Sequence, residues 1–113
     1  MANLPHDPGH RAFCPVHEAI NILQEKWTLH IIRSLLDGPK GFNELSRAVG
    51  GCNPATLAQR VEKLVGLGIL EKTVHSTMPP RTSYALTEAG RALQEVVEAI
   101  DRWSRRFLKE AVA

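Results

Sequence analysis

The sequence predicts a mainly α fold with one small β-hairpin: a winged helix-turn-helix with additional N- and C-terminal helices for dimerisation. Three observations predict it. A short amphipathic helix, a glycine break and a second helix stand in the middle of the chain, the order of a helix-turn-helix. Two β segments follow directly and make the wing. A long last helix then carries an apolar seam that three helices and a wing are too small to cover.

The elements follow in order. Residues 1–12 read as a flexible arm, polar and rich in proline, and residues 13–113 as the domain. Cys14-Pro15 opens a first helix over about residues 15–24, because proline at the first helical position has no N–H to waste. Val16, Ala19, Ile20 and Leu23 recur at helical spacing along it. A second helix over residues 26–37 is apolar through Trp27, Ile31 and Leu35, widened by Leu29, Ile32 and Leu36, and so belongs to the core. Asp37-Gly38-Pro39 stops it. Phe42, Leu45 and Val49 mark a short third helix, and Gly50-Gly51-Cys52 a tight break. Asn53 caps the fourth helix with Pro54 as its first residue, and Leu57, Val61, Leu64 and Leu67 form its inner stripe. Residues 69–74 read as a strand, 75–81 as a turn too polar and proline-rich for a strand, and 82–86 as the returning strand. Thr87 caps one continuous last helix over about 87–109.

Composition excludes several classes of protein. A chain of 113 residues holds one domain, and 43% hydrophobic with 23% charged residues argues against global disorder. No apolar run approaches the roughly 20 residues needed to span a bilayer. The polar N-terminus does not read as a secretory signal, and two cysteines are too few for a disulfide scaffold, so the cytoplasm is the expected compartment. No nucleophile elbow, phosphate loop or carboxylate pair appears, so no enzyme and no cofactor is expected. Net charge is only +2, but it is unevenly placed: residues 1–39 carry −1, residues 40–81 carry +3 and residues 82–113 carry 0. The excess falls on the helix-turn-helix and wing, where a polyanion would bind.

Four segments stand out: Cys14-Pro15-Val16; Lys26-Trp27-Thr28-Leu29; Leu36-Asp37-Gly38-Pro39-Lys40-Gly41-Phe42-Asn43-Glu44-Leu45; and Pro79-Pro80-Arg81 through Tyr84-Ala85-Leu86-Thr87-Glu88-Ala89-Gly90. In this order they resemble the HxlR-type winged-helix transcriptional regulators of bacteria and archaea. The resemblance spans about residues 13–105. Two departures stand out: Gln24-Glu25 where the family commonly has two glycines, and Cys52-Asn53-Pro54 where it often has an Ile-Ser pair. The second adjoins the expected DNA-reading surface, so operator preference does not carry over from relatives.

The fourth helix is the expected reader. Opposite its inner stripe stand Thr56, Gln59, Arg60 and Lys63, at i, i+3, i+4 and i+7. Gln pairs with adenine, Arg with guanine, Thr meets a thymine methyl, and Lys63 reaches phosphate. Asn53, beside the turn, joins this surface. Lys72, His75 and Arg81 on the wing are candidates for backbone or minor-groove contact, with Arg81 pairing a local carboxylate as the alternative. Lys40 and Asn43, near the start of the third helix, are candidate phosphate donors. An ordinary solvated helix face is the competing reading of the stripe on the fourth helix.

The last helix carries Leu93, Val96, Ile100, Trp103 and Phe107 in steps of three and four, broadened by Val97 and Leu108. With Val16 and Ile20 of the first helix, Leu93, Val97, Ile100, Trp103 and Phe107 are the expected homodimer interface, as the resemblance also implies. A twofold dimer suits an inverted-repeat operator on double-stranded DNA. Cys14, at a helix N-terminus where the dipole favours a thiolate, is the redox candidate, with Arg11 and His17 adding positive charge. The resemblance implies oxidant or electrophile sensing there in some members; a structural cap is the alternative. An unknown small-molecule effector is the other candidate input. His6, His10, Cys14 and His17 lack the spacing of a compact zinc site, so no metal is expected. His30 reads as a core or interface histidine. The competing function is a winged helix turned protein-interaction module without specific DNA binding; the basic stripe favours DNA.

Overall fold

The computed structural model describes residues 13–109; the N-terminal arm expected over 1–12, with His6, His10 and Arg11, lies outside them. Nine elements follow in order: α1 (Pro15–Leu23), α2 (Thr28–Leu35), β1 (Lys40–Gly41), α3 (Phe42–Val49), α4 (Pro54–Gly66), β2 (Leu70–Thr77), β3 (Pro80–Leu86), α5 (Glu88–Ala92) and α6 (Gln94–Phe107).

The core forms where the inner stripes of α2, α3 and α4 meet the base of the hairpin. Ile31, Ile32, Leu45, Leu57 and Val61 are fully buried, and Leu35, Leu64, Leu70, Tyr84 and Leu86 nearly so. The i, i+3 or i+4 spacing of these residues on each helix puts them on one side, so three short helices close around one apolar centre. Trp27 is not the first turn of α2, as its place in the apolar stripe predicts. It is the residue before the helix, at φ 78°, while its side chain packs against the core.

The sheet is antiparallel with order β1-β3-β2. β1 is too short to show any pattern and is absent from the sequence reading; it pairs Lys40 with Tyr84 and Gly41 with Ser83. The wing corrects that reading too. Residues 75–77 and 80–81, expected in a turn, continue the ladder with Ser76 opposite Arg81 and Thr77 opposite Pro80, beyond an irregularity between Val74 and Ser76. Pro80 is tolerated because it opens its strand, and a solvent-exposed ribbon needs no apolar face.

The last helix is likewise not continuous: α5 ends at Ala92 and α6 begins at Gln94. Leu93 N–H donates to the Gly90 carbonyl, a tightened i−3 turn that separates the two segments. The cause is tertiary. Thr87 caps α5 by accepting from Gly90 N–H at 3.1 Å, and its hydroxyl lies 2.6 Å from the Gly68 carbonyl. Arg91 donates to the Leu86 carbonyl at 2.9 Å. Gly90 itself packs so closely on the Ile69 carbonyl and Leu86 that a Cβ would collide with both. α5 is thus pinned to the sheet, and α6 leaves it with no buried residue of its own.

Candidate nucleic-acid interface

Helix α4 is set by local chemistry. Gly50 and Gly51 take φ values of 70° and 76°, which glycine adopts without steric cost, and so reverse the chain after α3. The Asn53 carboxamide oxygen then accepts from Ala55 N–H at 2.7 Å and from Thr56 N–H at 3.4 Å. Asn53 therefore spends its side-chain oxygen on the cap. With Leu57, Val61 and Leu64 inward, the exposed face presents Ala55, Ala58, Gln59, Glu62 and Lys63. Gln59 makes no side-chain hydrogen bond among the described residues and sits near the middle of that face.

Two members of the expected stripe lie to one side. Thr56 and Arg60 are half-buried. Arg60 donates through Nε to the Lys26 carbonyl at 2.9 Å, and Lys63 bonds the Glu25 carboxylate at 2.9 Å. On the other flank Glu62 meets Lys72 of β2 at 3.0 Å. That hydrogen bond, then the carboxylate charge, raises the Lys72 pKa. Ala55, Ala58 and Glu62 were not among the expected contacts. The spacing of Leu57, Val61 and Leu64 carries the signal that would find them, since roughly 100° per residue places Arg60 beside the buried stripe and Ala55 opposite it.

The wing and α3 contribute a second surface. Asn43, Glu44, His75, Arg81 and Ser83 line one cleft of about 370 Å³. His75 Nε2 lies 2.8 Å from Ser83 Oγ, and Gly41 N–H donates to Glu44 at 3.3 Å. Arg81 is exposed and forms no ion pair among the described residues. Lys40 is not brought to this surface. Its ammonium donates to the Ser34 carbonyl at 2.6 Å and to Asp37 at 2.7 Å, and its side chain is only 15% exposed. The Asp37 carboxyl is held below its ordinary range by that hydrogen bond and the Lys40 charge.

Cys14 is the N-cap residue of α1, as expected, with no side-chain cap bond, and it is buried; so is Cys52. Val16 and Ile20 are exposed and line a shallow apolar cleft on α1 with Ala19 and Leu23. Leu93 packs against the core. Val97 and Ile100 face Leu29, His30 and Arg33 across a cleft of about 250 Å³, while Trp103 and Phe107 stand exposed with ring centroids 5.9 Å apart. His30 is exposed, and its ring lies 5.5 Å from that of Trp27. Among the described residues no cluster of three or more His, Cys, Asp or Glu side chains is placed to hold a metal, and no helix is long and apolar enough to cross a membrane.

A short helix, a two-glycine reversal, a capped helix with a free polar face and a β-hairpin beside it define a winged helix-turn-helix DNA-binding regulator. The HxlR-like helix-turn-helix family matches residues 22–112, and the chain belongs to that family. It is 32% identical over 104 residues to the uncharacterized HTH-type transcriptional regulator sll1512 of Synechocystis, covering 92% of this chain and 76% of that one. It is 36% identical over 95 residues to the HTH-type transcriptional regulator YodB of Bacillus subtilis, covering 83% of this chain and 85% of YodB. The reduced form of YodB superposes with a TM-score of 0.74 at 33% identity, over 87% of this chain and 97% of that one, and YodB is also known quinone-bound and diamide-treated. The redox regulator HypR in its oxidized form matches with a TM-score of 0.75 at 29% identity, over 86% and 100% of the two chains.

Proposed function

We propose that the protein reads an inverted repeat in double-stranded DNA as a homodimer, with α4 in the major groove and the wing on the flanking backbone. The observation that carries this is Gln59, unbonded among the described residues on the exposed face of a capped helix, between Ala55 and Glu62 on the same side. The small Ala55 and Ala58 let that face approach base edges, and a carboxamide is the bidentate partner of adenine. Arg81 and His75 on the wing, with Asn43 of α3, supply backbone contacts that fix the register. Dimerisation through α6, with α1, sets two copies of α4 at half-sites about 34 Å apart or a multiple of that distance.

A redox input through Cys14 is the regulatory part of this reading. Its support is the likeness to YodB, known in reduced, quinone-bound and diamide-treated forms, and to the redox regulator HypR. The DNA-reading part is tested with an operator selected from a random duplex pool. Gln59→Ala is expected to weaken operator binding by about 1–3 kcal/mol and to relax preference at one base pair, with nonspecific affinity retained. Unchanged preference at every position would remove Gln59 as a base reader, and failure to select any operator from the pool would favour an interaction module.

A further inference from the structure

We infer that Arg60 and Lys63 form a site for a backbone phosphate of DNA on the flank of α4, and that Glu25, in the connection between α1 and α2, occupies this site in the free protein. The inference rests on the reading that α4 faces DNA, and adds to it a residue that sets affinity from outside the helix-turn-helix.

The geometry is that of an anion site already filled. The Glu25 carboxylate accepts from Lys63 Nζ at 2.9 Å, 38 residues away in sequence. The next peptide group of the same connection, the Lys26 carbonyl, receives Arg60 Nε at 2.9 Å. Glu25 feels both cations: its carboxyl is held below the ordinary range by the Lys63 hydrogen bond first, then by the Lys63 and Arg60 charges, against a smaller opposing effect of desolvation than that of the bond. One carboxylate hydrogen-bonded to an ammonium beside a guanidinium reproduces the surroundings of a phosphate oxygen.

The connection is held in place independently of this pair. Trp27 takes a left-handed φ of 78°, and its side chain packs on the core beside Gly51, where an added Cβ would lie 3.7 Å from its ring. Glu25 is thus anchored two residues away, at the flank of α4, rather than carried on a free loop. The pair is also open to competition: the Lys63 and Glu25 side chains are 50% and 34% exposed. An ion pair at such exposure is worth little in water, so a phosphate can displace it. Displacement still has a consequence. DNA must separate Lys63 from its internal partner, and the released carboxylate then stands beside the phosphate and repels it. Glu25 therefore lowers affinity for every sequence equally.

The test uses the full chain and a mixed-sequence duplex a few helical turns long, because phosphate contacts do not depend on sequence. Glu25→Gln is expected to tighten binding on the order of three- to tenfold at low salt. It also steepens the log–log salt slope by up to about 0.9, the share of one phosphate contact. In a Lys63→Gln background the same change should have a clearly smaller effect on both quantities, because only the repulsion of a phosphate held by Arg60 is then relieved; an undiminished effect overturns the pairing with Lys63. Unchanged or weaker binding by Glu25→Gln overturns the inference. Gln59→Glu, which puts a negative charge on the exposed face of α4, separates the two ways of failing. If it weakens binding while Glu25→Gln does nothing, only the closure by Glu25 fails. If Gln59→Glu and Lys63→Gln both leave binding unchanged, α4 does not face DNA and both readings fall together.

Discussion

The inner stripe of α4 and the seam of α6 are written in the same alphabet and end in opposite surroundings. Leu57, Val61 and Leu64 repeat at steps of four and three, and so do Ile100, Trp103 and Phe107, in the reverse order. The first set is buried by α2, α3 and the sheet. In the second, Ile100, Trp103 and Phe107 are 47%, 56% and 59% exposed. Helical periodicity thus says that a face is apolar, not what covers it. For α4 the covering elements lie within the chain. For α6 they do not, because α5 is pinned to the sheet by Thr87, Arg91 and Gly90 and sends α6 out beyond the core. The cost of leaving two aromatic rings in water is the physical argument for a second copy.

The largest effect should come from charging the outer seam. Ile100→Asp combined with Trp103→Asp would place two carboxylates in the proposed interface, each costing several kcal/mol without a partner. Light scattering should then report a monomer in place of the proposed dimer, with helical circular dichroism retained, because neither side chain belongs to the core. A folded, intact dimer would assign the seam to another surface.

The inner stripe should respond in the opposite way. Leu57→Ala removes a fully buried side chain and should cost about 2–5 kcal/mol of folding stability in urea. In the charged-seam background this loss should be independent of protein concentration, since it acts within one protomer. A loss that grows on dilution would mean that core and interface do not separate as described.

What the sequence made legible follows this division. The reversal at Gly50-Gly51, the Asn53 cap, the Thr87 cap and most of the inner stripes obey rules that act over a few residues and stand where those rules place them; Leu67, expected in the inner stripe of α4, is instead its exposed C-cap. The break at Leu93 has only Gly90, three residues before it, to announce it, and the meaning of that glycine comes from its packing on Ile69, 21 positions earlier. Arg60 and Lys63 read as free cations because their partners, Lys26 and Glu25, lie 34 and 38 residues away. Lys40 differs. Its partner Asp37 is three residues back, across the Gly38-Pro39 turn, and the Asp-Gly-Pro-Lys order could have exposed the pairing.

The two cysteines carry the comparison down to its smallest expected effect. Both are buried, so neither thiol is reached by reagent without an opening of the structure. The openings differ. Cys52 belongs to the central cluster, with its sulfur 3.6 Å from the Asn53 carbonyl, and exposing it requires the turn before α4 to lift from the core. Cys14 lies outside that cluster, at the first cap of α1, a helix of nine residues none of which is buried. Terminal helices with few buried contacts open at much lower free energy than a core turn. Alkylation of the native protein should therefore reach Cys14 first, with each 1.4 kcal/mol between the two openings worth about tenfold in rate. Mass spectrometry of a time course with iodoacetamide measures the ratio. If the charged-seam variant labels Cys14 faster than the wild type while Cys52 is unchanged, the partner subunit holds α1 shut, and assembly and the proposed redox input are linked through that helix. If Cys14 and Cys52 label at the same rate, α1 opens only with the core, and the division between an inner domain and an outer layer fails at its N-terminal end.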